Sequence, residues 1–567
     1  MAKITPFDKT CERQMKIADR RVEKEDYLGA LNALLWAEKE FFDYQLFMRI
    51  ADVYAEMGQL ELSNKYWYKY MHFAPKDKVS ACYEELAVNY FYLDNLWASG
   101  YYFHKKLSTD GFISKEGLDQ EVMDFFSGEE LKKHAYRIVY PYDKADYSFE
   151  KKNAKRAIGL GGFNEAVEIL NKVPKQCRDE ETSGDFAVAY LMIDDTESAE
   201  KIARESIEKN GESVTAYCNL STVYDMRGDF DKSNFYYQKA LSLSKGELSE
   251  YYKIATCAIE REDHEKVKEC LEAILKDRPF ECTMRFFQGI NMMNLGDFSG
   301  AVNAFKWAHQ TDPDDLIIQY YLEFAERIEK GGADSDKILP LKYVKELPKK
   351  IATKYNKSIR ELVKNPEKIL SVAKKPQTLN LIKWAMLYGS DRVMREGVML
   401  LSGLDWKVFT TTANKILIDP EVRPELKRLL IYVLIMKGYK GRIGVVASSY
   451  YCQFSPKKLA CEKSVFGGLF LSAYALCVSK TVFYDMDDFS ALAKATDYVF
   501  SRFEGKVTEA EISNEELAGL ILYHSGYENF KKPSSVAGVF EIDQKKLLKL
   551  SKMLNNKDEE NSDDKNN

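Results

Sequence analysis

VTAYCNLSTVYDMRGDFDKSNFYYQKALSLSKG, from Val214 to Gly246, reads as two helices joined by a tight turn. Large Leu220 and small Ser221 are followed by Tyr224, then by Gly228-Asp229-Phe230, then by Ser233, Tyr237 and Ala240. Two antiparallel helices that cross closely need small residues where their backbones approach and large ones where the gap must be filled. Gly228 suits the left-handed residue that ends the first helix, and Asp229 suits the N-cap of the second.

The same features recur along the chain. Ala199, Ser233, Val267 and Ala301 follow one another at steps of 34 residues. Asp195, Asp229, Asp263 and Asp297 keep that step at the turn, and Pro279 and Pro313 keep it at the repeat ends. A further copy precedes them at Gly161-Gly162-Phe163, with Ala166, Leu170 and Val173. Nearer the N-terminus, Ile50, Ala51 and Tyr54 lead to Gly58-Gln59-Leu60, Ser63, Trp67 and Pro75. Tyr27, Ala30, Leu34 and Ala37 mark a helix before that copy; Leu86, Ala87, Tyr90, Leu96, Ser99 and Phe103 mark a copy after it.

This pattern resembles the tetratricopeptide repeat, in which each unit is a pair of helices, A and B. The resemblance spans about the first 330 residues. It implies an α-solenoid whose helices A line a concave face that holds proteins or peptides. Side chains one turn apart on helix A would then point into the groove. They are Cys218, Thr222 and Met226 in one repeat, Tyr252, Thr256 and Ile259 in the next, and Phe286, Ile290 and Met293 in the third. The groove so defined is apolar and aromatic. Some members of the family clamp a C-terminal carboxylate with Lys and Asn, and no matching set is found here. An amphipathic helix or an extended apolar peptide fits better, anchored at Tyr252, Phe286 and Met293.

Composition agrees with an all-α chain. Of 567 residues, 45% are hydrophobic and 13% aromatic, with only 14 Pro and 30 Gly, which favours long helices over a turn-rich sandwich. The organisation expected is N-terminal repeats over 1–110, an insertion or hinge over 111–146, and an array with a capping helix over 147–330. A basic helical linker over 331–376, an irregular all-α domain over 377–555 and a disordered acidic tail over 556–567 follow. LIIQYYLEFAERIEKGG supplies the cap before Gly331-Gly332.

The formal net charge is −6, which gives no global pull toward nucleic acid. Charge is nonetheless partitioned: residues 337–375 hold twelve Lys or Arg against Glu346, Glu361 and Glu367. Leu, Ile, Val and Tyr recur between these charges at helical intervals, so the segment is expected to fold as amphipathic helices. Following directly on the repeats, it is expected to dock on them through those apolar residues, with charge setting the orientation. The alternative function is a regulator that contacts nucleic acid through this segment or through the helix-turn-helix-like stretch SSVAGVFEIDQKKLLKLSKML. There Lys545, Lys546, Lys549 and Lys552 lie on the second helix, and Glu541 stands where such a turn usually has Gly.

Enzymatic motifs find little support. The six His are scattered, and no P-loop, zincin or nucleophile-elbow pattern occurs. No cofactor or metal is expected. Cys452 and Cys461 lack a second pair of ligands, and the ten single Cys suit reduced, packed thiols. Asp485, Asp487 and Asp488 suit a helix N-terminus better than a cation. Gly438 and Gly441 suit a turn between helices. Charges crowd the N-terminus where a secretory signal needs an apolar core, so a cytoplasmic protein is expected. The apolar run between Lys463 and Lys480 falls short of the about 20 residues that span a bilayer, and reads as a buried helix.

Overall fold

The computed structural model describes residues 6–93, 95–110, 147–159, 161–332, 340–365, 376–447, 449–464, 467–484, 488–503 and 512–563. The insertion expected over 111–146 lies outside the described residues, as do 337–339 and 366–375 of the basic segment and the pair Asp485 and Asp487. The chain divides into two compact units, one of residues 1–63 and 75–347, the other of residues 64–74 and 348–567. The boundary therefore falls inside the basic segment.

The first unit is a succession of helix pairs. They are α1 (Pro6–Val22) with α2 (Tyr27–Glu40), α3 (Tyr44–Glu56) with α4 (Leu60–Phe73), and α5 (Ser80–Tyr92) with α6 (Leu96–Asp110). The second array runs through α7 (Ser148–Gly159), α8 (Phe163–Leu170), α9 (Glu180–Met192), α10 (Thr196–Lys209), α11 (Val214–Met226) and α12 (Phe230–Leu243). It continues with α13 (Leu248–Glu260), α14 (His264–Asp277), α15 (Cys282–Asn294) and α16 (Phe298–Thr311), and the lone α17 (Leu316–Glu329) closes it. Only the start of α4 belongs to this unit, since Asn64 onward clusters with the other.

The turns show why the 34-residue register matters. Asp195, Asp229, Asp263 and Asp297 each accept a hydrogen bond from the backbone N–H three residues on, at 2.9–3.2 Å. Each thus satisfies one of the free donors at the start of a helix B. The residue before each aspartate is left-handed: Asp194 at φ 62°, Gly228 at 74°, Glu262 at 56° and Gly296 at 80°. The backbone takes this conformation at all four of these turns, whether or not glycine is present. Further in, Ser221 Oγ donates to the Ser233 carbonyl at 3.0 Å, so the small residues expected at the crossing bring the two helices together.

The N-terminal pairs meet the end of the second array. Helix α2 contacts α16, and the Tyr54 hydroxyl donates to the Thr311 carbonyl at 2.7 Å. The rings of Tyr27 and Phe280 meet edge to face with centroids 5.8 Å apart.

The second unit contains α18 (Lys349–Lys364), α19 (Pro376–Tyr388), α20 (Asp391–Ser402), α21 (Trp406–Leu417) and α22 (Pro424–Met436). A two-stranded antiparallel hairpin follows, β1 (Ile443–Ala447) paired with β2 (Tyr450–Phe454). It is the one departure from helix among the described residues of a stretch expected to be helical throughout. Then come α23 (Gly467–Thr481), α24 (Ser490–Phe503), α25 (Asn514–His524), α26 (Pro533–Phe540) and α27 (Gln544–Asp563). Helix α27 runs through part of the tail expected to lack structure.

Residues 64–74 bind the hairpin: the Tyr68 hydroxyl donates to the Ser449 carbonyl at 2.6 Å, and His72 Nδ1 lies 2.9 Å from the Tyr451 hydroxyl. Residues 467–484 are apolar and long enough to pass for a membrane span by length and composition, and 56% of that stretch is buried. Contacts of α23 with α22, α24 and α25 account for that composition. Glu541 adopts φ 58°, so the sharp turn between α26 and α27 forms without glycine.

Candidate functional site

Helices A of consecutive pairs, α7, α9, α11 and α13, contact one another directly and so share one face of the array. The residues expected to line that face divide sharply. Met226 is 46% exposed and Thr256 is exposed; Thr222, Tyr252 and Ile259 are half-buried. Cys218, Phe286, Ile290 and Met293 are buried in the core, which corrects the expectation that they face a ligand. Phe286 packs against Phe305 of α16 at 5.6 Å and against Tyr321 of α17 at 5.2 Å between centroids. The closing helix covers the third repeat, and a side chain covered by the next helix cannot also meet a partner.

A different set of residues carries the open surface. The last residue of each helix A falls at the 34-residue step: Met192, Met226, Glu260 and Asn294. Met192 is 56% exposed, and it and Met226 hold the same place on adjacent repeats. Glu260 accepts a 2.6 Å hydrogen bond from the Thr222 hydroxyl. Although the residue is exposed overall, burial of its carboxyl raises the pKa, and Asp225 adds to this while Thr222 opposes it. Asp185 on α9 is raised by burial as well, with Lys253 opposing. The expectation of an apolar and aromatic groove is therefore amended: the exposed row carries methionines and an acid.

At the fourth place of the row, Asn294 is occupied by the chain itself. Residues 340–347, PLKYVKEL, contact α15 and α17 as an irregular, bent segment. Asn294 Nδ2 donates to the Leu341 carbonyl at 2.9 Å while its Oδ1 accepts from the Leu341 N–H at 2.6 Å. Asn291 Nδ2 donates to the Tyr343 hydroxyl at 2.7 Å, and that hydroxyl also lies 2.9 Å from His264 Nδ1. Lys345 pairs with Asp315 at 2.7 Å, and the Tyr321 hydroxyl donates to the Glu346 carbonyl at 3.0 Å. Docking of the basic segment on the repeats is thus seen for this first portion only. Helix α18 instead packs against α19 and α20 within the second unit, with Ile359 fully buried and Tyr355 edge-on to Trp384.

No group of three or more His, Cys, Asp or Glu side chains able to hold a metal ion occurs among the described residues. Burial pushes the Cys270, Cys282 and Cys461 thiols up to about 12, which keeps them protonated and unreactive. Asp488, the described member of its acidic trio, accepts from the Ser490 N–H at 3.0 Å at the start of α24.

The family model of the tetratricopeptide repeat matches residues 214–246. No curated protein matches the chain. Among solved structures, yeast Tom70 is similar at 12% identity, covering 94% of this chain and 100% of its own, with a TM-score of 0.28. A tetratricopeptide repeat protein from Parabacteroides merdae is similar at 14% identity, covering 50% and 98%, with a TM-score of 0.29. The human IFIT1 dimer with m7Gppp-AAAA is similar at 14% identity, covering 73% and 91%, with a TM-score of 0.30. At these scores the likeness fixes nothing about the ligands of this chain.

Proposed function

From the premise of a helical-repeat chain that carries tetratricopeptide repeats, we propose that it is a non-catalytic, cytoplasmic scaffold whose helices A hold a peptide of another protein. The observation that carries this reading is the row Met192, Met226 and Glu260, exposed and in register on three successive repeats. Methionine adapts to varied apolar side chains, and Glu260 with Asp225 favours a basic one. The ligand is therefore an extended segment that alternates apolar and basic residues. Affinity purification from cell extract tests it: Met192→Glu together with Met226→Glu is expected to remove bound proteins while leaving the melting temperature within about 2 °C. Recovery of the same partners at the same yield would sink the reading.

One observation favours a second reading, contact with nucleic acid. On α18, Lys349, Lys350, Lys354, Lys357, Arg360 and Lys364 are exposed, and none has a carboxylate within ion-pair distance among the described residues. The apolar side of the same helix is already packed, so this stripe offers charge without an apolar face. If all six contact phosphates, log K should fall with log salt at a slope of about −4 on single strands or about −5 on duplex. Retention on immobilised DNA or RNA that is negligible at 50 mM salt would exclude this reading.

A further inference from the structure

The segment 340–347 has the chemistry of a bound peptide. Its side chains alternate: Leu341, Tyr343 and Leu347 are buried and Lys345 is half-buried, whereas Lys342, Val344 and Glu346 are exposed. The chain is bent over Tyr343–Glu346, yet every second residue is turned inward, which is how a peptide seats its side chains in a surface. Its main chain is read by side chains of the array, since Asn294 bonds both the N–H and the carbonyl of Leu341 and Tyr321 bonds the Glu346 carbonyl. A side-chain amide that pairs with a peptide unit in this two-fold way recognises backbone, whatever side chain it carries. Specificity then comes from the Tyr343 hydroxyl, shared by Asn291 and His264, and from Lys345 on Asp315.

We propose that this segment is a resident ligand that occupies one end of the peptide-binding face, and that a peptide of another protein with the inward pattern Leu-x-Tyr-x-Lys-x-Leu displaces it. The proposal rests on the peptide-binding reading above and adds regulation to it. Asn294 is the fourth member of the row Met192, Met226, Glu260, so a ligand that lies along the row reaches the resident segment and competes with it for this end. Asn291, Asp315 and Tyr321 are themselves buried, so the segment is held by the burial of Leu341, Tyr343 and Leu347 together with shielded hydrogen bonds and one ion pair, and a competing peptide must supply the same set of contacts to replace it.

The probe is a fluorescein-labelled PLKYVKEL peptide added to the full chain. Wild type should bind it at least tenfold more weakly than the variant Leu341→Ser with Tyr343→Ala, in which the resident copy is weakened. Adding Asn294→Ala to that variant should abolish the gain, and a scrambled peptide of the same composition should show none. Equal affinity for wild type and variant, with unchanged helical circular dichroism, overturns the proposal. Should the variant fail to fold, hydrogen exchange on wild type decides. The Leu341 amide is expected to exchange at least 100-fold faster than amides in the middle of α15, and equal protection would make the segment a fixed part of the fold. Partner recovery with Met192→Glu and Met226→Glu reports on the scaffold reading separately, because those positions do not touch the segment.

Discussion

Glu262 and Asp194 occupy backbone positions that glycine fills in the neighbouring repeats. A residue with a Cβ pays about 1 kcal/mol in the left-handed region, partly offset by the greater freedom that glycine has when unfolded. Glu262→Gly is therefore expected to raise stability by a few tenths up to about 1 kcal/mol in urea unfolding. Asp263→Ala next to it should lower stability by about 1 kcal/mol, since the cap on Lys266 N–H is lost. Equal midpoints for all three proteins would show that this turn contributes nothing to the unit.

Two buried bases in the second unit give stability a pH dependence of known sign. His72 is lowered to about 4, first by burial and then by Arg442, so between about 4 and 6.5 the unfolded chain binds more protons than the folded one. Stability must then fall as pH drops through that window. Lys427, whose Nζ donates to the Val446 carbonyl at 2.7 Å, is lowered to about 8 by burial, against the pull of Asp419 and Glu421. Its contribution makes stability rise between about 8 and 10.5, the reverse of the usual alkaline loss. Lys427→Met should flatten that rise; an unaltered profile would mean that the amine is hydrated. Neither residue is marked in the sequence as buried: His72 meets Tyr451 379 positions away, and Lys427 is closed in by the hairpin that begins 16 residues after it.

Among elements, the helix pairs were legible because each is specified locally, by Gly or a substitute, Asp at the cap and small residues at the crossing. What escaped was rotation about the helix axis. Cys218, Thr222 and Met226 are four residues apart, and successive steps of four drift by about 40°, enough to carry Cys218 into the core while Met226 stays in solvent. The 34-residue step in the sequence marks Met192, Met226, Glu260 and Asn294 as equivalent last residues of helix A. The hairpin was legible too: IGVVA and YYCQF are β-branched and aromatic runs joined by a two-residue turn. Its strands are only five residues each and are flanked by helical runs, which mask them in the periodicity. Helix α18 tests the packing side of this scale: Ile359→Ala, at a fully buried site, should cost about 2–5 kcal/mol, measurable as a lower unfolding midpoint.

For the whole molecule, the division into units was not foreseeable from composition. Residues 64–74 continue a repeat helix in sequence yet belong by contact with residues 348–567, because Tyr68 and His72 bond Ser449 and Tyr451. No local signal in that helix announces partners nearly four hundred residues on. The same holds for the bond between Tyr54 and Thr311, whose loss in Tyr54→Phe should cost about 1 kcal/mol of first-unit stability.

An open solenoid can grow from any pair, since each repeat needs only its neighbours. Here the opening pairs have their partner 257 residues downstream. At ordinary rates of translation, that interval is roughly 10–50 s after Tyr54 has left the ribosome. Throughout that wait the apolar flank of α2 and α3 is uncovered. Synthesis therefore imposes a vulnerable period that the finished protein does not betray, during which the nascent chain depends on being shielded from other chains.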